Sequence, residues 1–338
     1  PVEIEIEVKP MPLVFSLTST GGNNWKWDYG ATGTIDYALT TTTVAGDNLT
    51  YYYHYYPAAD SSKSEKVSGT SIDVSKLASG SYMAEVRLVA STEAGYSADN
   101  ANYTIDANSK NTQAFVIDAG GAETSDIVWQ FSLNGDPATN LFKADGTQEE
   151  LKYGLKADGA PNEIEVLFPD LSAVTYLQRD DNREGFTNGM KIVGVKDGVE
   201  TEITGKITKP GTYKIIVALI SDDNHLFDNG TKKGEASAEF TVERAEVDLS
   251  GMKLEYGWYD DDKGEVVYND YDPKKPPVYK ESWVYIRVKG GTNYPKGITN
   301  AEIVNESTDY FGDRDVPGTV SAKVKFTLDE NYVYKKDG

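Results

Sequence analysis

The sequence predicts an all-β protein of three tandem immunoglobulin-like antiparallel β-sandwich domains in an elongated arrangement. A small turn leads into a period-two apolar strand three times, in residues 80–89, 211–219 and 318–326. These recurrent strands divide the chain into parts of roughly one hundred residues, a usual size for one sandwich. The chain also has 23 tyrosines and many threonines, and both side chains favour strands. We therefore expect little helix.

The first predicted domain covers residues 1–118. After its recurrent strand it continues with a polar loop and a closing strand at residues 112–117. Turn signals every eight to twelve residues or so are typical of an immunoglobulin-like sandwich. The earlier apolar runs predict strands at residues 13–17, 34–39, 49–56 and 71–74.

Residues 2–8 alternate apolar and acidic side chains, and Pro10 and Pro12 follow them. Such alternation predicts a strand with one face on a core and the other in water. We interpret this strand either as a stray piece of a preceding domain or as a donor strand for another copy of the chain.

The second predicted domain covers residues 119–244 and begins after a Gly-Gly linker. It repeats the order of the first: its recurrent strand is followed by a polar loop and a closing strand at residues 236–242. Its other predicted strands are at residues 127–133, 149–155, 163–168, 174–177, 190–195 and 200–207.

The third predicted domain covers residues 245–338, with its recurrent strand at residues 319–328. Residues 329–338 have the pattern of a loop, so the closing strand of this domain is expected to be missing. An open sheet edge favours pairing with another strand. Two explanations follow: the chain is a cut segment, or residues 2–8 of one copy complete the third domain of the next in a head-to-tail polymer. The remaining predicted strands are at residues 253–259, 265–268, 282–289 and 301–305.

Composition argues against several classes of function. The chain has no cysteine and only two histidines, His54 and His225, so thiol chemistry is absent and imidazole catalysis has little material. A net charge of −21 opposes binding to nucleic acid. No apolar run is long enough to span a bilayer. We therefore expect no enzyme, no nucleic-acid partner and no membrane span in this segment.

Alternating aromatic residues are the candidate ligand-binding residues. Trp25, Trp27 and Tyr29 are two residues apart, so on a strand they would share one face, as would Tyr53 and Tyr55. Rows of exposed aromatic rings stack on sugar rings, and they also dominate protein-binding surfaces. The alternative is that one such row is the core face of the sandwich.

An acidic cluster is the candidate metal site. It consists of Asp260, Asp261, Asp262, Asp270 and Asp272. Calcium takes six to eight oxygen ligands from flexible loops, and a cluster of this kind supplies carboxylates. The spacing does not match a helix-loop-helix calcium loop, and a solvated loop is the alternative. No other cofactor is expected.

Two stretches resemble the bacterial immunoglobulin-like repeats of Gram-positive surface proteins. Residues 240–251 are similar to the seam at which a closing strand passes into an Ala-x-Val-x-Leu-Ser-Gly opening strand. Residues 317–332 are similar to the Ala-Gly-Thr-Tyr strand and Asn-Tyr loop of these repeats, with Pro317 and Val320 replacing alanine and tyrosine. The resemblance implies a wall-anchored or membrane-anchored stalk or adhesin, without catalytic residues.

The sequence thus predicts a non-enzymatic extracellular segment of a bacterial surface protein, anchored to the cell or secreted. Its expected partner is a host or microbial surface glycan or protein. The alternative is a set of carbohydrate-binding modules from a secreted system that degrades polysaccharides or captures glycans.

Overall fold

The structure is a computed structural model that describes residues 4–249, 252–270, 272, 274–275, 284–288, 294, 296–304 and 323–335. Within these residues the chain is built of β-strands, without α-helix and with 3-10 turns at Ser61–Lys63, Val74–Lys76 and Ala98–Asn102. The predicted all-β class is confirmed, and the immunoglobulin-like domains stay a prediction. No helical segment in the described ranges has the length and apolar character that a membrane crossing requires.

The strands are numbered along the chain in three groups. The first group is β1 (Met11–Leu13), β2 (Phe15–Thr20), β3 (Lys26–Asp28), β4 (Thr34–Leu39), β5 (Tyr51–Pro57), β6 (Glu65–Lys66), β7 (Ser71–Asp73), β8 (Gly80–Leu88), β9 (Tyr103–Ile105) and β10 (Thr112–Asp118). The second group is β11 (Gly120–Gly121), β12 (Val128–Leu133), β13 (Thr139–Asn140), β14 (Ile164–Asp170), β15 (Leu177–Arg179), β16 (Met190–Lys196), β17 (Val199–Glu202), β18 (Gly211–Ser221), β19 (His225–Leu226) and β20 (Lys233–Val242). The third group is β21 (Ala245–Val247), β22 (Leu254–Asp260), β23 (Glu265–Asp270), β24 (Val284–Val288), β25 (Ile298–Val304), β26 (Lys323–Leu328) and β27 (Tyr332–Tyr334).

The chain forms two compact units. The first unit is Pro1–Ile127, Leu171–Gly189 and Ala218–Ala236. The second unit is Val128–Asp170, Met190–Val217 and Ser237–Gly338. The predicted domain boundaries at residues 118 and 244 are not tested by this division and stay predictions.

Two sheets build the core of the first unit. One has the strand order β3-β10-β8-β5-β6, and the other has the order β2-β4-β7. β8 is antiparallel to both β5 and β10. Alternate side chains of a strand share one face, so the period-two apolar residues of both sheets meet in one core. The buried core residues are Leu13, Phe15, Leu17, Trp27, Ile35, Tyr53, Ile72, Val74, Leu77, Ala84, Val86, Tyr103, Phe115 and Ile117.

The second unit consists of several smaller antiparallel sheets. β12 pairs with β13 and β14, and β16 pairs with β17 and with residues 212–217 of β18. β22 lies between β23 and β24, and β25 pairs with β26. Period-two burial again supplies the core, for example at Ile215 and Val217 of β18, both with 0% exposure.

The recurrent turn has the same geometry in the two copies that the structure describes in full. Gly80 and Gly211 begin β8 and β18 with φ angles of +152° and +156°, which glycine adopts far more readily than other residues. The hydroxyl groups of Tyr82 and Tyr213 each donate to the carbonyl four residues earlier, at 3.0 and 2.8 Å. The start of the third copy, residues 318–322, lies outside the described residues.

A closing strand covers each of these tyrosines. Phe115 of β10 stacks on Tyr82 with ring centroids 5.3 Å apart, and Phe240 of β20 stacks on Tyr213 at 5.6 Å. Both phenylalanines are buried, with 1% and 2% exposure. The glycine, the tyrosine and the phenylalanine therefore form one repeated packing unit.

Each opening strand pairs in parallel with the strand that follows a recurrent strand. β1 pairs with β9, β11 with β19, and β21 with β27. The closing strands also have parallel neighbours, because β10 pairs with β3 and Glu243 forms a parallel bridge with Lys152. The three parts of the chain therefore begin in the same way.

The structure differs from the predicted strands in several places, among them residues 174–177, of which only Leu177 lies in a strand, β15. Residues 4–8 belong to no strand, since no described strand pairs with them and an isolated strand is unstable in water. Residues 149–155 form isolated bridges through Lys152 and Leu155 instead of a full strand. Within the predicted loop at residues 329–338, Tyr332–Tyr334 forms β27. This strand corresponds to β9 and β19, and it is therefore not a closing strand.

Candidate binding surface

Trp25, Trp27 and Tyr29 do not form one exposed aromatic row. Trp27 has 3% exposure, and its indole N–H donates to the Thr20 carbonyl at 3.0 Å. Trp25 precedes β3 in the left-handed region, with φ of +64°, and packs partly buried against the core. The bridge from Asn23 to Lys26 makes a tight turn there, so the strand alternation expected from the sequence begins only after Trp25.

Tyr53 and Tyr55 lie on the inner face of β5. The Tyr53 hydroxyl donates to the Ile35 carbonyl at 2.8 Å, and burial, followed by the charge of Asp36, raises the pKa of Tyr53. Tyr55 is half-buried and donates to Glu65 at 2.5 Å; burial and then this hydrogen bond raise its pKa to about 12. Tyr53 therefore lies in the core and Tyr55 packs against it. This is the alternative to ligand binding that the sequence allowed for such a row.

The inner face of β5 is covered by other aromatic rings. Tyr37 packs edge-on against Tyr53 with ring centroids 4.7 Å apart, and Phe15 packs edge-on against Tyr51 at 5.5 Å. Edge-to-face contacts of this kind add roughly 0.5–1.5 kcal/mol to the free energy of area burial. The ligand-accessible side of β5 is consequently the opposite face.

That opposite face carries Tyr52, His54 and Tyr56, with Arg87 and Glu85 beside them on β8, and we call it the outer aromatic face. Tyr52 lies opposite Arg87, and His54 lies opposite Glu85 in the strand register. The His54 ring is 4.7 Å from the Tyr52 ring and 5.4 Å from the Tyr56 ring, centroid to centroid. Three neighbouring rings therefore form a continuous row along the strand.

His54, the middle ring of this row, links its own strand to two other chain segments by hydrogen bonds. Its Nδ1 lies 2.5 Å from Ser64 Oγ, and its Nε2 lies 3.0 Å from Glu85 Oε2. The residue has only 7% exposure, and a buried imidazole with partners on both nitrogens has a fixed orientation. His54 thus fixes the positions of the two tyrosines that flank it.

Cations lie over the Tyr52 ring. The guanidinium carbon of Arg87 is 4.4 Å from the ring centroid, and the ammonium of Lys66 is 5.3 Å from it. Arg87 also makes two hydrogen bonds to Glu93, at 2.7 and 2.6 Å. This pairing lowers the pKa of Glu93 to about 2. Tyr52 is therefore a fixed ring, and Tyr56 has no such cation over it in the described contacts.

The outer aromatic face can bind a ligand by stacking and by hydrogen bonding. Tyrosine rings supply flat apolar surface, while Glu85, Ser64 and the tyrosine hydroxyls supply polar groups. Of the residues chosen for binding from the sequence, Tyr53 and Tyr55 lie on the inner face of β5. The period of two places their neighbours on the opposite face, because Phe15 and Tyr37 cover the inner side.

The five acidic residues proposed for calcium do not come together. Asp260 lies opposite Glu265 in the β22–β23 hairpin, whereas Asp270 lies opposite Glu255 at the other end of β23. Five residues of strand separate these ends by about 17 Å. Asp260 pairs with Lys263 at 3.1 Å, and this hydrogen bond lowers its pKa. Asp261, Asp262 and Asp272 are exposed, and within the described ranges no three acidic or histidine side chains are placed to hold a metal.

An open polar depression of about 440 Å³ lies elsewhere in the first unit. Both of its cations are paired: Arg183 with Glu235 at 2.8 Å, and Lys233 with the buried Asp180 at 3.0 Å. Phe186 supplies its apolar wall. Because these cations already have partners, the outer aromatic face is the better candidate for ligand binding.

Tyr29 has a different role from the one expected, because it packs against His225 of β19. Their ring centroids are 5.3 Å apart in an edge-on contact, and Tyr176 stacks on the other side of His225 at 4.1 Å. The Gly120 N–H donates to the Asn224 carbonyl at 2.8 Å. We call this group of contacts the first joint, since it lies where one predicted domain passes into the next.

The second unit contains a matching group of contacts, the second joint. Tyr153 packs edge-on against Tyr332 of β27 with centroids 5.5 Å apart, and the Ala245 N–H donates to the Asn331 carbonyl at 3.0 Å. An aspartate two residues before each of these asparagines also matches. The Asn224 N–H donates to Asp222 Oδ1, and the Asn331 N–H donates to Asp329 Oδ1, both at 2.9 Å.

The two joints correspond residue by residue. The Tyr29 N–H donates to the Asp118 carbonyl, and the Tyr153 N–H donates to the Glu243 carbonyl, both at 2.8 Å. In each case the opening strand starts two residues after the acceptor, at Gly120 and at Ala245. The sequence signal for this correspondence is short, because the two stretches share little more than the glycine that follows each tyrosine, Gly30 or Gly154.

Comparison of the chain with protein-family models and with curated proteins found no match. The resemblance to bacterial immunoglobulin-like repeats therefore stays a prediction.

Proposed function

We propose that this chain is a segment of an extracellular bacterial surface protein, a stalk or adhesin of three tandem immunoglobulin-like modules in an elongated arrangement. The observation that supports it is the repeated joint. A stalk needs consecutive modules that are held at short, ordered junctions. A linker of one or two residues, a parallel strand pair and an aromatic contact at each junction meet this need.

The first joint has the composition of a rigid junction. Ser79 at the recurrent turn contacts the same loop as the aromatic group: its N–H donates to Asn224 Oδ1 at 2.9 Å, and its hydroxyl donates to the Asp223 carbonyl at 2.8 Å. At the second joint, an ion pair links the turn before Gly211 to the loop before β27, with 3.5 Å between Lys209 Nζ and Glu330 Oε1. Each junction is therefore held by backbone, ring and polar contacts at once.

Distance measurement between spin labels tests the rigidity of the first joint. The chain has no cysteine, so Ser62→Cys and Glu184→Cys, both at exposed positions of the first unit, are unique labelling sites. We expect a narrow distance distribution, which broadens when Tyr29→Ala and His225→Ala are added. The pair Tyr153→Ala and Tyr332→Ala is the matched control and should leave this distribution narrow. A broad distribution in the unaltered joint would contradict the stalk.

We propose that the outer aromatic face is the binding surface of the segment, with a host or microbial surface glycan or protein as partner. A carbohydrate-binding module set is the second candidate, and the row of tyrosine rings supports it. A glycan array distinguishes a glycan partner, which both candidates allow, from a protein partner, which only the stalk or adhesin allows. Glycan binding that is lost in Tyr56→Ala and kept in Tyr334→Ala, an exposed tyrosine elsewhere, assigns the glycan to the outer aromatic face. An array without any bound glycan favours a protein partner.

A further inference from the structure

Residues 4–9 carry the most exposed apolar side chains of the described chain, and we call them the exposed segment. Ile4, Ile6 and Val8 have 77%, 81% and 88% exposure. They alternate with Glu5 and Glu7, so one face is apolar and the other is acidic. A segment with this pattern is suited to complete a sheet, in which its apolar face becomes buried.

The position of the exposed segment matches that of the closing strands. Residues 4–9, 113–118 and 238–243 each end two residues before an opening strand, β1, β11 and β21 respectively. The third residue of each stretch is Ile6, Phe115 or Phe240. The fifth residue is Val8, Ile117 or Val242. Large apolar residues thus occur at the same two places in all three stretches.

The two closing strands show how the third and fifth residues of such a stretch become buried. Phe115 and Phe240 stack on the tyrosines of the Gly-x-Tyr turns, and Ile117 and Val242 are buried with 2% and 3% exposure. A strand parallel to the closing strand supplies the second neighbour, as β3 does for β10. A receptor for the exposed segment therefore needs a sheet edge with a Gly-x-Tyr turn.

We propose that the exposed segment is a closing strand and binds the sheet edge of a further β-sandwich module with the same Gly-x-Tyr architecture. In this complex Ile6 packs on the tyrosine ring, and Val8 enters the core beside it. Two copies of the segment do not suit each other, because antiparallel pairing places glutamates opposite glutamates. The inference goes beyond the proposed function, since it assigns a partner to residues that the outer aromatic face and the joints do not use.

A strand graft in the full chain tests this assignment. Residues 113–118 are replaced by the sequence of residues 4–9, and the control graft has the same six residues in an order that destroys the alternation. We expect the alternating graft to unfold cooperatively, with a melting temperature lowered by less than about 10 °C, and the control graft to lose the transition of this module. Equal loss in both grafts would overturn the proposal.

A binding measurement tests the partner independently of the graft. The probe is a synthetic peptide of residues 2–9, and the receptor is the full chain with Phe115→Ala, which loosens β10 from Tyr82. We expect at least tenfold tighter binding to this variant than to the unaltered chain, and loss of that difference when the peptide carries Ile6→Asp. Equal binding of both peptides, or association of unaltered chains through Ile6, would overturn the proposed receptor.

Discussion

At the scale of single residues, Tyr82 and Tyr213 connect the recurrent sequence pattern to the packing of the domains. Each hydroxyl closes its turn by a hydrogen bond, and each ring lies between a positive-φ glycine and a buried phenylalanine. The sequence pattern locates these residues by their spacing alone. The ring stacking depends on closing strands about thirty residues later in the chain, and single-strand periodicity carries no information on such pairing.

Removing either turn hydroxyl should destabilise its own module by a similar amount. We predict that Tyr82→Phe and Tyr213→Phe each lower the free energy of unfolding by about 1 kcal/mol, the usual loss for one hydrogen bond. Denaturant unfolding measures the change. Tyr334→Phe, at a side chain with 49% exposure, is the control and should change nothing. A lower free energy of unfolding in only one of the two variants would mean that the two turns do not have equivalent geometry.

The Arg87–Glu93 pair should make stability depend on pH in the acid range. The pKa of Glu93 is lowered from 4.5 in the unfolded chain to about 2 by hydrogen bonds from Arg87 and from the Ala90 N–H. A lowered pKa stabilises the folded state fully above about pH 4.5, and this contribution is lost as the pH falls to about 2.

The stability difference between the unaltered chain and Arg87→Gln should therefore shrink between pH 5 and pH 2, within the range set by the lowered pKa. Urea unfolding at several pH values measures it, with the exposed Lys110→Gln as control. A difference that stays constant down to pH 2 would show that Arg87 acts through packing on Tyr52 and not through Glu93.

At the scale of elements, the joints depend on pairs of rings from distant parts of the chain. We predict that Tyr29 and His225 couple by about 0.5–1.5 kcal/mol in a double-mutant cycle to alanine. Tyr153 and Tyr332 should couple by a similar amount, because their backbone contacts match those of the first joint. Additive effects in both cycles would contradict the role of the rings in the joints.

The predicted elements that succeed are those with strong local patterns. The strand at residues 80–88 and the closing strand that contains Phe115 follow from alternation, and the tyrosine-rich strand that contains Tyr53 follows from the strand preference of tyrosine. Trp25 shows where the pattern fails, because a turn with positive φ breaks a run that reads as a continuous strand. The buried face of β5 could not be identified from the sequence, since aromatic residues occupy both of its faces and only neighbouring strands distinguish them.

At the scale of the whole molecule, the proposed organisation is a set of tandem β-sandwich modules connected by ordered joints. Head-to-tail strand donation is the rival to the receptor proposed above, because the recurrent turn of the third predicted domain has Val320 where the Gly-x-Tyr turns have tyrosine. It predicts that the sedimentation coefficient rises with concentration and that Ile4→Asp and Ile6→Asp together abolish the rise. Sedimentation as a monomer at every concentration would contradict the polymer but not the modules.

Small-angle X-ray scattering of the full chain distinguishes tandem modules from a compact globule. A compact globule of 338 residues has a radius of gyration of about 20 Å. Tandem modules with ordered joints predict a value well above this, with a pair-distance distribution that has a long tail. A radius of gyration near 20 Å with a symmetric distribution would contradict the tandem arrangement.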